Sequence, residues 1–193
     1  MDVPRNSRPN PFASRARGLL LLAVAGLTIV LTTGLTTYLQ ESLGRRDVTV
    51  VIGFDARHNS DVFARDTAEI MAGAGFHVLL ADSPVPTPVT AFGIGHYGAV
   101  AGVMVTASHN PPADNGYKVY LGDGSQIVPP TDAEIAHEIE VVSEEPVGAI
   151  ARGDDIEFIG DELIDAYVCR AAELTTANPD VTWVYTAMHG VGT

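Results

Sequence analysis

A knot of polar side chains, Thr106-Ala107-Ser108-His109-Asn110-Pro111, follows directly on a run of small apolar residues, Ala99 to Val105. The plain reading is a turn, because Ser, Asn and Pro all favour chain reversal. The chemical reading is a nucleophile at the carboxyl end of a buried strand, where open parallel sheets bind ligands and helix N-termini point free N–H groups. A serine hydroxyl needs a base, a metal or prior modification before it attacks anything. His109 is adjacent, but consecutive side chains of an extended stretch point to opposite faces. It is therefore expected to orient the loop or touch a phosphate rather than serve as the direct base. Lys118 lies ten residues on, in what reads as the next strand. From there an ammonium can balance a phosphate, or act as acid/base if its pKa falls. Glycines flanking the serine, as in a nucleophile elbow, are absent. Plain alternatives stand beside these: Lys118 could snorkel from a strand edge. Asp55 and Arg57 could form a surface ion pair, and His58 and His189 could be loop and turn residues.

The elements that must position this chemistry alternate between strand and helix. "DVTVVIGFD" (47–55) is β-branched and uninterrupted, as a buried strand should be. Asn59 or Ser60 can cap the helix that follows, which Gly73 and Gly75 stop. "FHVLLAD" (76–82) is a second strand, a helix is expected over roughly 88–97, and "AVAGVMVT" (99–106) is the third strand. Asp114-Asn115-Gly116 turns the chain into a fourth, "NGYKVYL" (115–121), and Thr131 or Asp132 can cap a further helix. Such alternation predicts an α/β fold, a three-layer α/β/α domain with a mostly parallel mixed sheet. Residues 143–155, rich in charge, Gly and Pro, read as a linker. Beyond it "IEFIGDELIDAYVCRAAEL" reads as a helix and "VTWVYTAMHGVGT" as a strand entering a Gly-rich turn. Together, 156–193 are expected to open an incomplete second α/β domain.

With 193 residues, the chain has room for one good-sized domain and the start of another. A net charge of −13 argues against nucleic acid, which needs a basic footprint. Local helix termini and a few cations can still hold an anion. Cys169 is the only cysteine, so no intrachain disulfide is available. The N-terminus breaks the pattern. Arg5, Arg8, Arg15 and Arg17 make 1–17 a basic segment, and residues 18–40 carry no charge at all. On hydropathy, 18–40 is a possible transmembrane helix with its N-terminus in the cytoplasm. A signal peptide and a helix buried in the domain core are the alternatives, the latter softened by five threonines.

"GVMVTASHNPPADNGYKVY" resembles the active-site signature of the α-D-phosphohexomutases, the phosphoglucomutase and phosphomannomutase family. Gly102 to Pro111 match that signature at every position, and the resemblance covers residues 34 to 193. "VVIGFDARHNSDVFARDTAE", "VPTPVT", "GDGSQIVPP" and "VYTAMHGVG" stand in the family's order. The resemblance implies a domain I over 41–142 carrying the phosphoserine loop. It implies an isomerase, an intramolecular phosphotransferase that interconverts hexose 1-phosphate and hexose 6-phosphate in the cytoplasm. Ser108 would carry the phosphoryl group, and a hexose 1,6-bisphosphate (intermediate and activator) would form on the way. By the same analogy Lys118 is the acid/base, His109 a catalytic neighbour, and Asn110 and Thr106 hold the loop or contact phosphate. A Mg²⁺ would take one oxygen from phosphorylated Ser108. Its other ligands, the family's aspartates, lie in a later domain with no counterpart before Thr193, and the family's opening Gly-x-Arg-Gly segment is also missing. Little turnover is therefore expected of this chain alone. The second function class left open is a non-catalytic sugar-phosphate-binding or membrane-tethered module built from the mutase domain.

Overall fold

A computed structural model of the chain describes residues 11–174, 182–188 and 190–192, with side chains from residue 26 onward. Arg5, Arg8 and His189 lie outside the described residues. The first helix, α1 (Pro11–Leu43), leads through a short turn into β1 (Thr49–Phe54), α2 (Ser60–Gly73) and β2 (His77–Ala81). Next come α3 (Thr87–Tyr97), β3 (Ala101–Val105), β4 (Tyr117–Leu121) and α4 (Thr131–Val142). A short 3-10 helix (Val147–Ala149), β5 (Ile156–Ile159) and α5 (Asp161–Glu173) follow.

The five strands form one sheet in the order β4-β3-β1-β2-β5, parallel except for β4, which runs antiparallel to β3. Strand interiors rich in Val and Ile suit a sheet covered on both faces. Val50, Val51, Ile52, Val78, Val103 and Val105 are all but sealed from solvent. Helix α2 packs beside α1, and α3 beside α5. Val51 and Gly102 point toward α3, where the side chain of Ile94 comes within 2.9 Å of a Cβ built on Gly102. The sheet is therefore the middle of three layers, as the alternating pattern predicts.

The threonine-studded helix α1 belongs to this domain. Leu35 and Leu39, one turn apart, are buried in the core, and so are Thr28, Thr32 and Thr36. Each hydroxyl has a place to go: Thr32 and Thr36 donate to the carbonyls of Thr28 and Thr32, at 2.8 and 2.7 Å. Such back-bonding to the preceding turn is how a helix accommodates threonine on a packed face. Gly34 lets α4 approach, since a Cβ there would lie 2.5 Å from Ile139 Cγ1. The transmembrane reading of 18–40 is thereby corrected. Among the described residues no helix is long and apolar enough to cross a membrane, and from Thr28 onward α1 buries hydroxyls against protein.

Two further expectations change. The stretch 156–174 is not one helix; it splits at Gly160 into β5 and α5. Ile156 to Ile159 pair in parallel with Val78 to Ala81, so these four residues form an edge strand of the same sheet. A four-residue strand on the sheet edge has too little length for its period to compete with the helical pattern behind it. Residues 143–155, expected as a linker, are tied to α2 by Arg152, 2.6 Å from Asp66 and 2.8 Å from Glu69. The Gly153 amide adds a bond to the Glu69 carbonyl at 2.7 Å. Residues 182–187 adopt no strand, and Trp183, Val184 and Tyr185 are exposed.

Candidate active site

In the order 2-1-3, the chain leaves β1 toward one side and returns to the other, so the ends of β1 and β3 flank a topological switch point. Ligands bind open α/β sheets at such points, beyond the carboxyl ends of the strands. Asp55 follows β1 and Thr106 follows β3, and the Asp55 amide donates to the Val105 carbonyl at 3.1 Å. The polar loop seen in the sequence begins here.

Asp55 is the hub beneath it. Its Oδ2 accepts from Thr106 Oγ1 at 2.6 Å and from Arg57 Nε at 3.1 Å. Its Oδ1 accepts from the Arg57 amide at 3.1 Å and from Ser60 Oγ at 2.8 Å. Asn115 Nδ2 donates to Ser60 Oγ at 3.0 Å, drawing in the turn before β4. Arg57 then reaches across. Its Nη2 donates to the Ser108 carbonyl at 2.5 Å, and its Nη1 to the carbonyls of Pro111 and Asp114 at 2.6 and 3.4 Å. Its side chain is only 11% exposed, and that of Asp55 14%. This is not the surface ion pair of the plain reading. It is a mostly buried pair whose guanidinium grips the serine loop by its backbone.

Thr106, itself buried, accepts the Ser108 amide on Oγ1 at 3.1 Å and donates its own amide to the Gly116 carbonyl at 3.0 Å. Gly116 must be glycine for that approach, because a Cβ would stand 2.6 Å from the Thr106 carbonyl oxygen. Asn59 occupies the N-cap of α2 with a left-handed φ of 64° and no capping bond, while Ser60 is spent on Asp55. At α4 the cap position falls to Pro130 rather than to Thr131 or Asp132.

Ser108 itself is exposed and left-handed, with φ 58°. For a residue with a Cβ that conformation costs roughly 1–2 kcal/mol, and it persists only where the surroundings enforce it. It also ends the extended geometry on which alternation depends. His109 therefore does not point away: its Nδ1 lies 3.4 Å from Ser108 Oγ, long for a hydrogen bond but on the same side. Asn110 is exposed, with its amide donating to the Ala107 carbonyl at 3.1 Å. Lys118 lies opposite Met104 in the register of β3 with β4, and Met104 faces α3 through a 3.3 Å contact with Thr90. Among the described residues the Lys118 side chain forms no hydrogen bond or ion pair. Tyr117, one residue earlier, points to the other face and meets Thr32 Oγ1 at 3.0 Å.

Thr106, Ser108, His109 and Asn110 thus share one crest, and Lys118 stands behind it. The sequence reading gave Asp55 and Arg57, Ser60 and Asn115 other places, as a surface ion pair, a cap and a turn, and missed that they support this loop. Their signal was the adjacency of the β1 and β3 tips that a 2-1-3 order enforces. No group of three or more His, Cys, Asp or Glu among the described residues could hold a metal ion, and both Asp55 oxygens are committed. The crest does not fit a Mg²⁺ by itself. A hollow of about 660 Å³ between Tyr38 on α1 and His137 on α4 contains none of the loop residues.

The phosphoglucomutase/phosphomannomutase alpha/beta/alpha domain I family matches residues 25–146, more than half of the chain. The chain belongs to that family. A "Probable phosphomannomutase" of Haemophilus influenzae is 52% identical over 151 residues, which are 76% of this chain and 31% of that protein. A phosphoribomutase of Saccharomyces cerevisiae is 36% identical over 180 residues, 82% of this chain and 29% of its own. A crystal structure from Thermus thermophilus, assigned as a phosphomannomutase, superposes with a TM-score of 0.60 at 32% identity, covering 75% of this chain and 31% of that one. The chain therefore spans less than a third of the length of these relatives, and the family match includes the whole crest around Ser108.

Proposed function

We propose that this chain is the phosphoryl-accepting domain of a phosphosugar mutase, with Ser108 as the acceptor. The observation that carries the reading is the exposure of Ser108 at the switch point, on a loop held from below by a mostly buried ion pair. In the step proposed, Ser108 Oγ attacks phosphorus of a sugar phosphate ester. The phosphorus–oxygen bond to the sugar breaks as the Oγ–phosphorus bond forms, and the serine proton ends on the released sugar hydroxyl by way of Lys118. Reversal at the sugar's other hydroxyl completes the exchange between positions 1 and 6. Thr106 keeps the Ser108 amide engaged, and the role we assign to His109 and Asn110, both exposed beside Ser108, is contact with the phosphate.

A phosphoserine carries about −1.5 to −2 charges near neutral pH, so transfer depends on positioned cations. Mg²⁺ supplies charge neutralisation when bound; from the described residues it would gain one oxygen of phosphorylated Ser108 and nothing more. Hexose phosphates, of mannose or glucose, are the substrates we propose. Pentose phosphates are the second reading, favoured by the phosphoribomutase relative and by a human phosphopentomutase that is 42% identical over 122 residues. We place the start of a second domain after α5 rather than at 156, and the site of action in the cytoplasm, where sugar phosphates are metabolised.

The test is transfer of labelled phosphate from α-D-glucose 1,6-bisphosphate and from α-D-ribose 1,5-bisphosphate to the purified chain, beside a turnover assay. Label that forms on the chain, disappears in Ser108→Ala and is discharged by the matching monophosphate supports the reading. Turnover is expected to be small beside that of a full-length relative. A chain that takes no label from either donor would sink the proposal and leave a binding module.

A further inference from the structure

We infer that Arg57 is a positioning residue for phosphoryl transfer, acting through the backbone of the serine loop rather than on the phosphate. This rests on the reading of Ser108 as acceptor and adds a residue to it. The guanidinium is held by Asp55 Oδ2 at 3.1 Å, and its outer nitrogens grip three carbonyls at 2.5, 2.6 and 3.4 Å, those of Ser108, Pro111 and Asp114. These three span the whole reversal between β3 and β4. One of them belongs to the acceptor residue, whose left-handed φ of 58° aims its Oγ outward. Fixing the carbonyl of a residue fixes the peptide plane beyond it, and so limits where its side chain can swing.

The charge balance supports this division of labour. Asp55 already neutralises Arg57, and four N–H contacts are spent on Asp55 and the three carbonyls. The guanidinium therefore offers the loop geometry rather than free charge, and the phosphate must draw its cation elsewhere. Lysine could keep the ion pair with Asp55 but not the planar fork that reaches three carbonyls at once. A displacement of an ångström at a reacting atom can cost on the order of a hundredfold in rate. That gives the inference its size.

The experiment compares wild type, Arg57→Lys and Arg57→Ala as full chains, in three measurements. These are the rate of phosphate transfer to Ser108 from α-D-glucose 1,6-bisphosphate, hydrogen exchange of the loop amides, and cooperative unfolding in urea. Arg57→Lys is expected to unfold as one unit near the wild-type midpoint while transfer falls about ten- to a hundredfold. The Asn110 and Asp114 amides should exchange faster, with β1 and β3 protected as before. Added guanidinium ion should restore both transfer and loop protection to Arg57→Ala, which ties the lost transfer to the missing carbonyl contacts. Transfer at the wild-type rate in Arg57→Lys, with or without faster exchange, overturns the assignment of Arg57. So does failure of guanidinium to raise transfer in a folded Arg57→Ala chain. An unlabelled wild-type chain instead overturns the acceptor reading, and this inference falls with it.

Discussion

Thr106 shows how little separates a turn from a site. Its hydroxyl donates to Asp55 at 2.6 Å and accepts the Ser108 amide at 3.1 Å, so one side chain links the ion pair to Ser108. Thr106→Val keeps the shape and removes both bonds. One carboxylate oxygen then loses a donor, and the Ser108 amide loses its acceptor. Hydrogen bonds to charged groups contribute about 1.5–3 kcal/mol, so a loss of that order is expected in urea denaturation, with Thr106→Ser retaining most of it. At this scale the polar loop at the tip of β3 was legible because its residues are neighbours in sequence as well as in space. The ion pair beneath it was not. Arg57 and the carbonyls it grips are more than fifty residues apart, and two charges after a strand look the same in sequence whether solvated or sealed. His109 was placed on the wrong side by the alternation rule, which fails wherever a residue turns left-handed.

Among the elements, α1 is where composition misled. Its apolar length suggested a membrane span, but what matters is that its threonines are satisfied inside the domain. Thr32 meets Tyr117 Oη at 3.0 Å and Thr67 Oγ1 at 3.4 Å, which ties α1 to α2 and to the start of β4. Burial pushes the Tyr117 hydroxyl up to about 12, with the hydrogen bonds to Thr32 and Thr67 opposing in part. The folded chain therefore holds that proton more tightly than the unfolded chain, whose tyrosines titrate near 10. The contribution to stability is complete below about pH 10 and is lost as pH rises toward 12, at about 1.4 kcal/mol per pH unit. Tyr97 and Tyr120 are also raised by burial, so the clean measurement is a difference. Tyr117→Phe should be less stable than wild type by about 1 kcal/mol near neutral pH and show a shallower decline in urea midpoint between about pH 10 and pH 12. Equal slopes for the two chains would remove Tyr117 from the account. The strands with β-branched interiors were legible in the sequence. β5 was not, since four residues before a helix carry no period of their own.

On the scale of the molecule, the net charge of −13 gives no general attraction for an anionic sugar phosphate. Under the proposed function, affinity must come from local groups at the crest and not from the overall charge. The chain aligns with about 31% of the length of the Haemophilus relative. The order of strands and helices up to β4 was readable because each is bounded by turn residues. The attachment of 143–155 to α2 was not, because the charge and glycine that suggest a linker also suit a segment bonded through Arg152. The decisive measurement is where phosphate lands. Fragment mass spectrometry of the chain after exposure to α-D-glucose 1,6-bisphosphate and α-D-ribose 1,5-bisphosphate is predicted to locate a single phosphate on Ser108 with at least one donor. Phosphate on Thr106 or Ser60 instead, or on no residue of a folded chain with either donor, would contradict the account.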